Sequence, residues 1–150
     1  MDVNFTHAEL GDAEILLELM REFYEFEDLS FDESVARNAL EMILSNKFFG
    51  SVWLIQQAEQ TIGYAVLTLG FSLEFQGRDS FIDELYLRSD FRGQGIGKRA
   101  LERLQEECSK LGVKALHLEV ERKNEIAQAV YRKDGFKDHD RFLMTKWISN

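Results

Sequence analysis

The chain has no proline, one cysteine, only three histidines and fewer bases than acids, and each shortage removes a class of answer. Without proline, breaks between elements must be read from Gly, Asn, Asp and Ser. Cys108 has no partner for an internal disulfide, and His7, His117 and His139 stand singly with no carboxylate or cysteine at ligand spacing. Neither a disulfide framework nor a metal site is expected. Against 27 Asp and Glu there are 18 Lys and Arg, a net charge of −9. That balance argues against nucleic acid, whose phosphates need clustered cations, and suits a cationic or amine partner. No apolar run approaches the ~18 residues of a membrane span. The start "MDVNFTHAEL" has neither a basic segment nor an apolar signal core, so the expected location is the cytoplasm.

What is present is an ordinary globular composition, 45% hydrophobic and 30% charged over 150 residues, read as one domain spanning 1–150. Residues 2 to 9 predict a first strand. A helix follows behind an Asp12 cap, with Ile15, Leu16, Leu19, Met20 and Phe23 at helical spacing, and a second runs from near Asp32 to about Ser45. "SVWLIQQ" and "TIGYAVLTLGF" read as a β-hairpin, 72–80 as a loop, and "FIDELYL" as a strand from 81 to 87. A third helix carries Leu101, Leu104, Cys108 and Leu111 on one stripe, ends at Gly112 and leads into the strand "KALHLEVE". Strand, helix, strand predicts a parallel crossover. A short helix from Asn124 to about Asp134 stops at Gly135, and "FLMTKW" predicts a last strand; Trp53 and Trp147 read as strand residues filling the core or an interface. The sum is an α/β domain with a mixed sheet.

The stretch "DELYLRSDFRGQGIGKRALERL", 83–104, is the chemical signal. Gly93, Gly95 and Gly97 remove side chains where a helix begins, leaving its unpaired N–H groups and positive dipole end open to an anion. Arg88, Arg92, Lys98 and Arg99 against Asp90 reverse the charge of the chain locally and suit a pyrophosphate. A P-loop would need glycine where Arg92 stands and Ser or Thr where Arg99 stands, and in a dinucleotide fingerprint the third glycine would come one residue later.

Arg92, Gly95 and Gly97 instead match the loop of the GNAT superfamily of N-acetyltransferases: Arg or Gln, two residues, Gly, one residue, Gly or Ala. Asn124, Ala127, Tyr131, Gly135 and Phe136 match a second signature, "NxxAxxxYxxxGF". The order of elements also resembles that family. "LYLRSDFRGQGIG" resembles diamine and polyamine acetyltransferases, and "LEVERKNEIAQAVY" is similar to ribosomal-protein N-terminal acetyltransferases. The resemblance implies the GNAT fold, α/β (α+β) in class: a mixed, mostly antiparallel sheet of roughly six to seven strands flanked by about four helices.

It further implies acetyl-coenzyme A as cosubstrate and no metal. The pyrophosphate would lie on the N–H groups of Gly93, Gln94, Gly95, Ile96, Gly97 and Lys98 beside Arg92. The pantetheine arm would pair with the backbone of Leu85, Tyr86 and Leu87, and Asn124 joins the cofactor-binding set. Tyr131 matches the general acid: a phenol, of ordinary pKa ~10, can protonate a thiolate of similar basicity. A backbone N–H near Leu85 would serve the oxyanion. For the base, Asp83, Glu84 and Glu119 all stand open. By alternation Asp83 shares an apolar face with Phe81, Leu85 and Leu87, and Glu84 lies opposite with Ile82 and Tyr86; a bulge, usual here in the family, would swap the two. Glu119 shares a predicted strand face with His117 and Glu121.

The acceptor is a primary amine, small, polyamine or peptide. The alternative is a sensor or interaction domain that binds coenzyme A without turnover. Between Glu9 and Glu33 ten acids face Arg21 alone; this is a solvated face or, through Glu25, Glu27 and Asp28, an attractor for a basic amine. The family commonly dimerises through late strands, and "RFLMTKW" offers such an edge, so homodimer and monomer both stay open.

Overall fold

The computed structural model describes residues 2–149. In chain order they form β1 (Val3–His7), α1 (Ala13–Phe26), α2 (Glu33–Ser45), β2 (Gly50–Gln57), β3 (Gln60–Ser72), β4 (Gly77–Leu87), α3 (Ile96–Lys110), β5 (Ala115–His117) and α4 (Glu125–Lys133). Two compact units divide the chain at Leu118 and Glu119. The first holds all five strands in one sheet of order β1-β2-β3-β4-β5, antiparallel except for the parallel β4–β5 pair. The second holds α4.

Alternation along the strands sends side chains to two cores. Val52, Leu54, Tyr64, Val66 and Tyr86 meet Leu16, Leu17, Leu19 and Met20 of α1 and Leu40 of α2 on one face. Ile55, Ile62, Leu85 and Leu87 meet Ile96 and Ala100 of α3 on the other. At α2 the Asp32 carboxylate caps the helix as expected, accepting from Ser34 N–H at 3.0 Å and Val35 N–H at 3.3 Å. Asp12 does not cap α1 with its side chain; its carboxylate turns back to accept from Glu9 N–H at 2.8 Å and closes the turn before the helix. Gly112, at φ +72°, ends α3 while Val113 N–H reaches Cys108 O at 2.9 Å, the left-handed stop that glycine allows.

Three expectations are corrected. The loop at 72–80 shrinks to 73–76, because Arg78, Asp79 and Ser80 extend β4 along Phe71, Gly70 and Leu69, with Ser80 Oγ–H donating to Thr68 O at 2.6 Å. "KALHLEVE" yields a strand only at Ala115–His117, pairing with Asp79–Phe81 and stopping where β4 bulges at Asp83. A bulge bends and over-twists its strand, so a straight parallel neighbour cannot follow past it. No strand forms after β5 among the described residues, so the sheet has five strands, not six or seven. Alternation in "FLMTKW" is not enough, since a strand exists through a hydrogen-bonded neighbour. Trp53 fills the core at 1% exposure, whereas Trp147, outside any strand, is 86% exposed.

Candidate active site

After β4 a short 3-10 turn, Ser89–Phe91, leads to Arg92 and the glycines. Gly93 and Gly95 adopt φ of +76° and +79°, which favour glycine, and Gly95 is the N-cap of α3 with no side chain capping the helix. Gly97 has no such conformational need, and a Cβ there would meet nothing within 4 Å; the same holds at Gly93 and Gly95. The helix start is thus bare toward open space, beside a groove of about 540 Å³ lined by Val3, Gln57, Gln94, Ile96 and Arg99. This arrangement fits an anion held by backbone N–H groups. The Ile96 side chain belongs to the core, so only its backbone can take part. Lys98 is exposed. Arg92 donates through Nε to Leu87 O at 2.8 Å and lies over the Phe26 ring at 4.4 Å. Arg88, counted among the loop's cations in the sequence, faces away: it is held by Glu22 and Glu18 of α1, each at 2.9 Å.

The residues before the loop lie on a stretch of β4 with strand pairing on one side only. β5 pairs with β4 only through Phe81, so among the described residues no strand pairs with that side of β4 from Ile82 to Leu87. Arg88 N–H donates toward β3, to Ile62 O at 2.8 Å. Strand alternation then turns the backbone groups of Leu87 and Leu85 to the open edge and those of Tyr86 toward β3. Leu85 and the N–H of Leu87 can pair with an added extended chain, while Leu87 O is engaged by Arg92. Tyr86 cannot in the same way, and its phenol donates to Glu22 at 3.2 Å.

At the bulge Val66 pairs with Glu84 and Leu67 with Ile82, leaving Asp83 as the extra residue. The bulge foreseen as an alternative is therefore present, but it does not swap the two carboxylates: Glu84 keeps the face of Tyr86, and Ile82 is the residue that changes side. Glu84 joins Tyr64 and Tyr86 on the α1 face, while Ile82 lies opposite. The Tyr64 phenol donates to Glu84 Oε1 at 2.6 Å and the Tyr24 phenol to Oε2. Burial pushes the Glu84 carboxyl up, the two phenols pull it back, and the Asp83 charge adds to the rise; no cation acts on it. Asp83 is raised by burial alone. Both tyrosines are driven well above their ordinary range by burial and the Glu84 charge, and remain protonated donors. Neither phenol was picked out in the sequence; a tyrosine in a helix stripe and one in a strand carry no local mark of a carboxylate partner.

The second unit carries the second signature. Asn124 caps α4, its Oδ1 accepting from Ala127 N–H at 3.1 Å, a structural use of that side chain. The Tyr131 ring stands edge-on to Phe136 at 5.9 Å, and burial raises its phenol, so it keeps its proton at neutral pH. Glu119 is exposed and lies beyond the end of β5, so the strand face shared with His117 and Glu121 does not form. His117 instead meets Asp79 at 3.1 Å. Cys108 is buried, with its thiol pushed up by desolvation, as core packing requires. Among the described residues no group of three potential metal ligands occurs, and no helix is long and apolar enough to cross a membrane.

Comparison with known proteins bears on the family and the fold. Thialysine N-epsilon-acetyltransferase of Bos taurus is 26% identical, over 91% of this chain and 85% of its own. An integron cassette protein from the mobile metagenome of Cole Harbour Salt Marsh has a solved structure with TM-score 0.86 and 34% identity, covering 97% of this chain and 91% of its own. A predicted acetyltransferase of Clostridium acetobutylicum, solved with acetyl-CoA, shares the fold at TM-score 0.81 and 21% identity, covering 97% of this chain and 96% of its own. Residues 13–136 match the sequence model of the acetyltransferase (GNAT) family. With that match spanning the glycine loop and both signatures, the chain belongs to the GNAT family and is an acetyltransferase.

Proposed function

We propose that the protein transfers the acetyl group of acetyl-coenzyme A to a small cationic primary amine by direct attack, in the cytoplasm, with residues 1–150 working as one domain. The observation that carries this reading is the placement of two uncompensated carboxylates, Asp83 and Glu84, on the strand that also offers an open edge at Leu85 and Leu87 and runs into the bare start of α3. The match of one family across residues 13–136 supports a single working unit. The acceptor class draws support from the name of the bovine relative, which gives a side-chain amine.

The N–H groups of 93–98 would hold the pyrophosphate, with Lys98 adding charge, and Leu85 and Leu87 would pair with the pantetheine arm. When bound, acetyl-coenzyme A supplies a thioester carbon open to attack and a thiolate leaving group. The Leu85 N–H, turned to the open edge, is the donor for the carbonyl oxygen as it gains charge. Asp83 and Glu84 attract the ammonium and take its proton. Tyr131 keeps the proton that the sulfur needs, a role resting on its place in the second signature.

Thiol release from acetyl-coenzyme A, screened with polyamines, lysine-like amines, aminoglycosides and basic peptides, tests the reading. Release with cationic small amines is expected; tight coenzyme A binding without release for any amine overturns it in favour of a sensor. Tyr131→Phe should lower kcat by about 100-fold or more with acetyl-coenzyme A affinity unchanged. Gly95→Val, which forces a β-branched residue to φ near +79°, should abolish that affinity instead.

A further inference from the structure

Asp83 and Glu84 are adjacent and stand at one bulge, yet their surroundings differ. Each oxygen of Glu84 accepts from one phenol, and both phenols are fixed by packing. Tyr24 stands edge-on to Phe23 at 5.8 Å and Phe31 at 5.5 Å, and Tyr64 is 1% exposed between Phe23 and Tyr86. Among the described residues no hydrogen-bond donor reaches the Asp83 carboxylate. The titratable groups acting on Glu84 are Tyr24 from α1, Tyr64 from β3 and Asp83 from its own strand. Glu22 and Tyr86, next along that face, are tied to each other, and Arg88 binds Glu22.

We propose that Tyr24 and Tyr64 are positioning residues that divide the work of the two carboxylates: they clamp Glu84 as the charged anchor for the acceptor nitrogen and leave Asp83 as its proton acceptor. The inference rests on the amine-acetylation reading above. Two directed O–H donors stabilise the anion and remove the rotational freedom of its carboxylate plane, so Glu84 presents its remaining lone pairs in one orientation. Burial raises both carboxyls, so the division lies in geometry: both Glu84 oxygens are engaged and fixed, which suits an anchor, whereas Asp83 has no such donors and its oxygens are free to take a proton. The bound ammonium first gives one proton to Asp83, which releases it to solvent, so that a neutral amine attacks. As the nitrogen–carbon bond forms and the carbon–sulfur bond breaks, a second nitrogen proton passes to Asp83, the remaining N–H stays on Glu84, the sulfur takes the Tyr131 proton, and solvent returns a proton to Tyr131.

The test pairs carboxylate NMR titration of Asp83 and Glu84 with steady-state kinetics in wild type, Tyr24→Phe, Tyr64→Phe and the double variant, which keep the rings and remove only the donors. Glu84 should titrate at higher pH in each single variant and highest in the double, with Asp83 moving less. The double variant should raise the amine KM about 10-fold, keep kcat within about 3-fold, and move the acid limb of kcat/KM upward. In a Glu84→Gln background the tyrosine changes should add nothing, and Asp83→Asn should lower kcat about 100-fold or more. An unmoved Glu84 titration, or tyrosine variants that lose kcat at constant amine KM, overturns the clamp. Failure of the acceptor reading shows separately, as no thiol release by the wild type with any amine.

Discussion

Helix α1 meets strand β4 at two places where charge is handled in opposite ways. Around Arg88, α1 presents Glu18 and Glu22, and the guanidinium binds both while also donating to Thr61 O at 3.3 Å. Four residues earlier, at Glu84, α1 presents Tyr24, a neutral donor, and β3 adds Tyr64. The first place gives its acids a shared cation, as a contact that serves stability does. The second keeps a partly buried carboxylate beside another and supplies no cation, an arrangement that costs stability and persists where a ligand completes it. On the proposed function, the acceptor's ammonium takes the place of the missing cation.

The contrast breaks most readily in activity. Asp83→Asn should lower kcat by about 100- to 10,000-fold, whereas Arg88→Met should leave steady-state rates within about 3-fold; equal losses would erase the distinction. Stability should show the reverse, at smaller size. Arg88→Met strands two acids and should cost about 1–2 kcal/mol in urea unfolding, while Glu84→Gln should be neutral or stabilising.

Acid sharpens this further. Because the folded-state value of Glu84 is raised above the ordinary 4.5, the folded protein binds the extra proton. The penalty from Glu84 is therefore absent below 4.5 and grows as pH rises through the raised value. The stability of wild type relative to Glu84→Gln should accordingly fall with rising pH across that window, read from paired urea curves. A difference that does not vary with pH would mean Glu84 is unperturbed. The smallest effect belongs to Glu25, Glu27 and Asp28, all exposed. Replacing all three by Ala should raise the acceptor KM about 2- to 3-fold at low salt and not at all near physiological salt, since exposed charges act only within a screening length.

Legibility followed range. The Asp32 cap, the stop at Gly112 and the glycine helix start involve residues within a few positions of one another, so residue type alone announced them. The hairpin and the three-helix order followed from periodicity. The partners of Glu84 lie 60 and 20 residues away, and nothing near them marks the contact. Arg88 looked like a loop cation because its acids, 66 and 70 positions earlier, were read as a solvated face. The expected last strand failed for the same reason: alternation describes a strand's faces but not whether an edge exists to receive it.

By itself, the sequence determined the family, the glycine start of α3 and the carboxylates and phenol on which the proposed acetyl transfer draws, because these rest on local backbone geometry and spacing. Only the tertiary structure decided what surrounds each carboxylate. The bulge leaves Asp83 as the extra residue beside Glu84, and register against β3 and packing against α1 bring the two phenols to Glu84. A carboxylate's chemistry depends on the donors and solvent around it, and those are assembled from chain segments that the local sequence does not connect.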